Sequence, residues 1–312
     1  MKKHNHCENN NIACSHHRDH SHQHIHAADE NILVAFFLNV FFVFVEIIGG
    51  LVTNSFAILS DAVHDFGDCV AIGFAYFLEK YSNKEPDEKY TYGYRRYSLV
   101  SATITSVILV VGSIFILAGS IERINKPEQI EGLGMVIIAV FGVVVNGIAV
   151  LKTRKGTGMN EKAINLHLLE DVLGWIAVLV GSVLIYFFKW YIIDVILSVV
   201  IASFLLFESA KNIKNIFAVF LEKTPENIDV KKFREAVNEI DGVENIHHLH
   251  IWSLDGEKTI ATMHIQMVKN ATLEQCVNAK KYIDAIGKNF DISHLTIQTD
   301  LHNECSANKC DL

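Results

Sequence analysis

The sequence predicts an all-α membrane domain of six transmembrane helices followed by a small C-terminal α+β domain. Three observations predict it. Apolar runs recur through residues 32–209 at lengths near the ~20 residues that cross a bilayer. Charge is concentrated at the ends and in short loops, in a chain of 312 residues that is 50% hydrophobic with only 3 Pro. Beyond residue 209 the continuous apolar runs give way to alternating and amphipathic segments, the signature of a water-facing sheet with helices on it.

The first 30 residues form a low-complexity arm. His4, His6, His16, His17, His20, His22, His24 and His26 supply half of the chain's 16 His. Such a tract builds no core, and its imidazoles suit loose capture of divalent metals. It has no apolar stretch of the kind that makes a cleavable signal peptide. Residues 31–209 hold the spans, read at about 32–52, 61–81, 98–121, 133–151, 165–188 and 191–209.

Orientation follows from Lys and Arg in the short loops. The second-to-third loop carries Lys84, Lys89, Arg95 and Arg96, and the fourth-to-fifth carries Lys152, Arg154, Lys155 and Lys162. The first-to-second loop, Thr53 to Ser60, carries none; the fifth-to-sixth has Lys189. In the third-to-fourth, Arg123 and Lys126 are offset by Glu122, Glu128 and Glu131. The bias places both termini in the cytoplasm, consistent with an even number of spans, and the membrane is read as the cell membrane.

Residues 210–301 read as the cytoplasmic α+β domain, ferredoxin-like and metallochaperone-like in its order of elements. Asn227–Asp241 looks helical, with Thr224-Pro225 before it. Val243–Leu254 and Lys258–Val268 alternate as paired strands around an Asp255-Gly256 turn. Leu273–Phe290 is an amphipathic helix and His294–Asp300 a last strand. A Cys-containing tail, 302–312, closes the chain. The 6 Cys are scattered and read as reduced thiols in a cytosolic setting; Cys305 and Cys310, with His302, make a weak metal-binding pattern. The net charge of -8 says little about partners, and no basic patch with interleaved aromatics points to nucleic acid.

Two copies of one pattern lie inside the apolar stretches: His64-x-x-x-Asp68 and His167-x-x-x-Asp171. A spacing of four puts both side chains on one helix face, one turn apart. Two imidazoles and two carboxylates make a complete tetrahedral set for Zn²⁺. Ionisable residues in a membrane cost roughly 2.5–3.5 kcal/mol each on insertion scales. The polar stripe of Asp61, His64, Asp65 and Asp68 must therefore face a cavity, a partner helix or an ion. The fifth span repeats it with His167, Glu170 and Asp171. The bland alternative is that such residues only glue helices together, which a single His or Asp often does and which Asn39 and Asn54 suit better. Asp61, Asp65 and Glu170 read as acceptors that orient the His rings or take protons. Glu46 in the first span reads as a hydration or proton-path residue, and Gly49, Gly50, Gly142, Gly147 and Gly181 as close-packing positions.

These residues resemble a known family. Ser60-Asp61-Ala62, His64 and Asp68, then Leu166 to Gly174 around His167 and Asp171, are similar to the two transport-site motifs of the cation diffusion facilitators, in their zinc-transporting branch. Tyr92-Gly93-Tyr94-x-Arg96 resembles the family's loop after the second span. His247-His248-Leu249-His250-Ile251-Trp252 and Thr296-Ile297-Gln298 resemble its cytoplasmic domain. The resemblance covers about residues 30–300. It implies export of divalent cations, Zn²⁺ first with Cd²⁺ and Co²⁺ as substitutes, by a homodimer exchanging them for protons. It also implies a possible second zinc site at His247, His264 and Asp300, where relatives hold regulatory metal. Departures are Ser98 in place of an acidic residue, Trp175 in place of a small one, and Gln298 where some members carry a His ligand. The absent His-rich loop between spans four and five indicates a prokaryotic type.

Mixed nitrogen and oxygen ligands favour borderline ions such as Zn²⁺ over Mn²⁺ or Fe²⁺. Metal binds neutral His and ionised Asp, so loading sheds protons, and the reference pKa of His, ~6.5, lies in the working range. By alternation His248 falls on the strand face opposite His247. Rival classes are an intramembrane zinc hydrolase, which lacks an HExxH general base and an open metal position, a zinc receptor that does not transport, and a passive channel indifferent to proton gradients.

Overall fold

The computed structural model describes residues 22–82, 84–125, 128–153 and 159–300; among these, the side chains of 22–35, 38, 75–80, 82, 125, 152–153 and 159–167 lie outside the description. The His-rich arm up to residue 21, and Cys305, Cys310 and His302 in the tail, therefore fall outside the described residues, as does the side chain of His167.

Six long helices come first: α1 (His22–Thr53), α2 (Phe56–Ser82), α3 (Tyr97–Asn125), α4 (Gly132–Thr153), α5 (Met159–Phe188) and α6 (Ile192–Phe220). Each contains one of the apolar runs. Helix α1 starts ten residues before the apolar run at 32, inside the His-rich arm, and α6 continues past 209 to Phe220. A helical backbone outlasts its apolar stretch when its end is in water, and periodicity in the run alone does not mark where the helix stops.

Among the described residues four helices are long and apolar enough to cross a membrane, within Tyr97–Ile124, Gly132–Leu151, Leu168–Phe188 and Ile192–Phe220; α1 contributes the shorter stretch Asn39–Thr53. The polar stripe on α2 lowers its apolar content. That helix packs against α1, α3, α5 and α6, so its charges are enclosed by protein. Large apolar side chains such as Phe37, Phe41, Phe44, Val111, Phe115, Phe187 and Phe207 point outward, as lipid-facing positions do.

Inside the bundle, Phe42, Ala57, Ile58, Met135, Ala139, Trp175, Val178 and Ile185 form a packed core. Helix α2 enters it through a tight turn at Asn54, whose φ of 58° is left-handed. The turn is pinned by the Asn54 side chain, which donates to Glu128 Oε2 at 2.9 Å and to Gln129 O at 3.2 Å and accepts from Arg123. The first amides of α2 donate to a carboxylate on another helix. Asp194, fully buried on α6, accepts from Phe56 N at 2.9 Å, from Ala57 N at 3.3 Å and from the Ser55 hydroxyl at 2.5 Å. A carboxylate at a helix N-terminus satisfies amides left without an intrahelical partner and complements the helix dipole.

The C-terminal domain has the order α7 (Val230–Asn238), β1 (Val243–Ser253), β2 (Thr259–Met267), α8 (Leu273–Asn289), β3 (Ile292–Asp300). The sheet order is β1-β2-β3, with β1 and β2 antiparallel and β2 and β3 parallel through the α8 crossover. Helix α7 is shorter than the Asn227–Asp241 expected: Asp229 accepts from the backbone N–H groups of Lys231 and Lys232 and starts it there. Thr272 and Gln275 form a reciprocal capping box that starts α8. Phe233, Val237, Ile246, Met263, Ile265, Met267 and Ile283 fill the core between the helices and one sheet face. Because strand side chains alternate, His264 and Gln298, paired across β2 and β3, share the face turned away from that core.

The two parts meet through the α2–α3 loop. Gly93, with φ +79°, lets that loop turn. Asp87 accepts from the Tyr94 hydroxyl at 2.6 Å, from Lys84 Nζ at 3.2 Å and from the amides of Lys89 and Tyr90. The Tyr94 hydrogen bond first, and then the Tyr90 amide, hold the Asp87 carboxyl well below the usual range. The next residues reach the C-terminal side: Arg95 pairs with Asp255 in the β1–β2 turn at 3.5 Å, and Arg96 with Glu222 just past α6 at 3.3 Å. The basic α2–α3 loop and the C-terminal domain thus lie on the same side of the bundle.

Candidate metal centre

The residues of the first HxxxD pattern stand on one face of α2, as the spacing requires. His64 Nε2 lies 3.7 Å from Asp68 Oδ2 on its own helix and 3.4 Å from Asp171 Oδ1 on α5. One imidazole between two carboxylates thus joins α2 to α5, with Asp171 107 residues beyond His64 in the sequence. Side-chain exposures of 21% for His64, 30% for Asp68 and 13% for Asp171 leave the cluster reachable. His167, one turn before Asp171 on α5, is the fourth expected member, and its side chain is outside the described residues. Glu170, next to Asp171 on α5, is exposed.

Potential ligand atoms of His64, Asp65 and Asp68 lie within 4.8 Å of one another, and so do those of Glu46, Asp61 and Asp65. The second group sits deeper: Glu46 is 0%, Asp61 7% and Asp65 8% exposed. One turn beyond Asp171, Trp175 is 1% exposed and packs in the bundle core against Phe42, ring centroids 5.9 Å apart. Gly142 on α4 gives the indole its room, since any Cβ there would collide with the ring.

A further cluster lies on the sheet face away from the domain core. His247 and His264 are cross-strand partners. Asp300 Oδ2 is 3.0 Å from His247 Nε2 and 3.0 Å from His264 Nδ1, and Asp300 Oδ1 accepts from Gln298 Nε2 at 3.0 Å. Potential ligand atoms of His247, His264 and Asp300 all lie within 4.8 Å. Burial opposes ionisation of Asp300, but the bonds from Gln298, His264 and His247 outweigh it and hold its carboxyl below the usual value.

One expectation is corrected here. Simple alternation put His248 opposite His247, but a register shift falls between His247 and His250 and His248 adopts φ +48°. This bulge turns its ring back, 5.2 Å from the His247 ring and 4.9 Å from that of His264. Bulges re-aim side chains in this way, and the adjacent His-His pair gave no sign of one.

The described geometry now has counterparts in known proteins. Residues 32–221 match the cation efflux transmembrane domain and residues 225–302 the cation efflux protein cytoplasmic domain. The chain belongs to the cation efflux family. This cation efflux protein is 30% identical over 296 residues to the cadmium, cobalt and zinc/H(+)-K(+) antiporter of Bacillus subtilis, covering 93% of this chain and 95% of that one. It is 31% identical over 286 residues to the metal cation efflux system protein CzcD of Cupriavidus metallidurans, covering 90% of each. It is 30% identical over 301 residues to the zinc transporter ZitB of Escherichia coli, covering 94% of this chain and 95% of that one. It is a multi-pass membrane transporter of metal cations.

Proposed function

We propose that this cation efflux protein exports Zn²⁺, with Cd²⁺ and Co²⁺ as further cargo, from the cytoplasm in exchange for protons. The transport site is His64 and Asp68 on α2 with His167 and Asp171 on α5. The observation that carries the proposal is the position of His64 Nε2 between Asp68 and Asp171, at 3.7 and 3.4 Å. Carboxylates on both sides of one imidazole, drawn from two helices, leave a space that a tetrahedral cation fills. The relatives named for zinc, cadmium and cobalt support that choice of metal, and the one named as an H(+)-K(+) antiporter supports proton exchange.

Loading requires neutral imidazoles and ionised carboxylates, so it releases protons into the cytoplasm. After the site reorients, protons from the far side compete for the same four groups and expel the metal. Movement of α5 relative to α2 would open the pair and change the ligand geometry directly, because His64 and Asp171 sit on different helices. In this reading α1 and α2 also cross the membrane, giving six spans in residues 31–209, with residues 210–301 as the soluble part. Both termini lie in the cytoplasm and the membrane is the cell membrane. The basic α2–α3 loop beside the C-terminal domain fits that orientation under the positive-inside bias.

The C-terminal domain serves as a dimerisation and sensing unit, its metal held by His247, His264 and Asp300, with His248 as a fourth ligand within reach. Zinc there favours a transport-ready arrangement. The matched family domain supports the homodimer.

The test is zinc tolerance in a zinc-sensitive host. Cells expressing the native chain should survive zinc that kills those expressing His64→Ala at equal membrane abundance. Tolerance retained by His64→Ala would overturn the site, and zinc binding without any flux in reconstituted vesicles would favour the receptor reading.

A further inference from the structure

The His64 cluster does not account for the acidic residues beneath it. Glu46 comes from α1, and Asp61 and Asp65 from α2. Asp61 precedes His64 by three residues, about 4.5 Å along a helix axis. Potential ligand atoms of the three carboxylates lie within 4.8 Å of one another. None is more than 8% exposed, and Glu46 is 0% exposed. Neither carboxyl oxygen of Glu46 has a hydrogen-bond partner at good geometry, and Oδ2 of Asp61 has none either.

A buried carboxylate ordinarily accepts hydrogen bonds or pairs with a cation. Asp194, in the same bundle, shows the usual solution, with three donors on its two oxygens. Glu46 has no such set, although it is buried as completely. Its side chain is instead aimed at two more carboxylates. Among the described residues no lysine or arginine pairs with any of the three; the nearby cationic side chain is His64. Helix glue made of polar residues matches donors to acceptors, whereas this arrangement gathers three carboxyls with no lysine or arginine among the described residues paired to them.

We propose that Glu46, Asp61 and Asp65 form a second divalent-cation site, with all-oxygen ligation, beside the transport site. A hard set of carboxylates takes ions such as Mn²⁺ or Mg²⁺ readily and Zn²⁺ with less selectivity than a site containing imidazole. A cation here is held one helical turn from His64. It gives incoming metal a staging position inside the bundle, and Asp65 belongs to both groups of ligand atoms. Binding at the triad stands on its own geometry; only the staging role rests on transport through His64.

The experiment counts Mn²⁺ bound to the full-length protein in lipid nanodiscs by electron paramagnetic resonance, in four forms: native, Glu46→Gln, Asp61→Asn and His64→Ala. All are nearly isosteric or tolerated in volume, and the two triad variants serve as checks on each other's folding, judged by Zn²⁺ binding retained at His64. The expected result is one Mn²⁺ fewer per chain in both Glu46→Gln and Asp61→Asn, and no loss of that ion in His64→Ala. Equal counts in the native protein and both triad variants would overturn the site and leave three carboxyls that share protons. An ion lost in His64→Ala but kept in Glu46→Gln would belong to the transport site and would equally overturn it. Failure of His64→Ala to affect zinc tolerance would instead count against the transport reading, without touching the Mn²⁺ result.

Discussion

Replacing Asp171 by Asn isolates the contact that joins α5 to α2. The substitution keeps the side-chain volume and removes the negative charge that lies 3.4 Å from His64 Nε2. A four-ligand protein zinc site is worth about 10–16 kcal/mol. One ligand of four therefore carries roughly 2.5–4 kcal/mol, and at about 1.4 kcal/mol per tenfold this is about 10²–10³ in affinity. The amide oxygen of Asn remains a weak ligand, so the lower end is expected, about a hundredfold. The assay is chelator competition on the purified protein, with the His247 cluster disabled in every sample by His264→Ala, alongside initial Zn²⁺ flux in proteoliposomes. Glu170→Gln is the control: it changes the same charge on the neighbouring residue of α5, which is exposed. A site containing Asp171 gives a large loss in the first variant and little change in the second. Equal affinities for Asp171→Asn and the native chain, with unchanged flux, would refute the ligand assignment.

Other outcomes follow from particular contacts. Asp194→Ala strips the cap from α2 and leaves buried amides without acceptors, so thermal unfolding should show a loss of about 1–3 kcal/mol per group left unsatisfied together with lost transport. Trp175→Ala empties the space between Phe42 and Gly142 and should destabilise the bundle by about 3–5 kcal/mol, as large-to-small changes of buried aromatics do; calorimetry on the detergent-solubilised protein measures it. His248→Ala should weaken Zn²⁺ binding at the His247 cluster without altering flux at saturating zinc, measurable by titration of the chain carrying His64→Ala. The backbone bond from Lys232 first, then that from Lys231, lowers the Asp229 carboxyl below its ordinary 3.8. The cap at α7 is therefore fully effective above about pH 4 and fades as pH falls through the lowered value. Asp229→Asn, which keeps the oxygen but not the charge, should remove that acid dependence from hydrogen exchange in α7.

Much of the fold was legible because it depends on run length and period. The long apolar runs each became a helix, and the alternating segments Val243–Leu254 and Lys258–Val268 became β1 and β2 nearly as read. The i, i+4 spacing of His64 and Asp68 likewise fixed their shared face. What escaped depends on contacts between distant elements. Nothing near Asp194 in sequence reveals that it caps α2, 138 residues away from Phe56. Glu46 reads from the sequence as a hydration or proton-path residue, and only the packing of α1 on α2 brings it against Asp61 and Asp65. His248 failed differently: alternation assumes an unbroken strand, and the bulge at residues 247–250 breaks it. The ends of α1, α6 and α7 were misjudged because caps and aqueous extensions do not follow hydrophobic period.

Zinc flux against an imposed pH gradient tests the central claim most directly. Proteoliposomes containing the native chain are loaded with an acidic lumen, and Zn²⁺ uptake is followed with a trapped fluorescent indicator. Uptake should accelerate with the acidic lumen, collapse when a protonophore removes the gradient, and vanish in Asp171→Asn. Zinc flux of equal rate with and without the gradient would contradict exchange for protons at the His64 and Asp171 site.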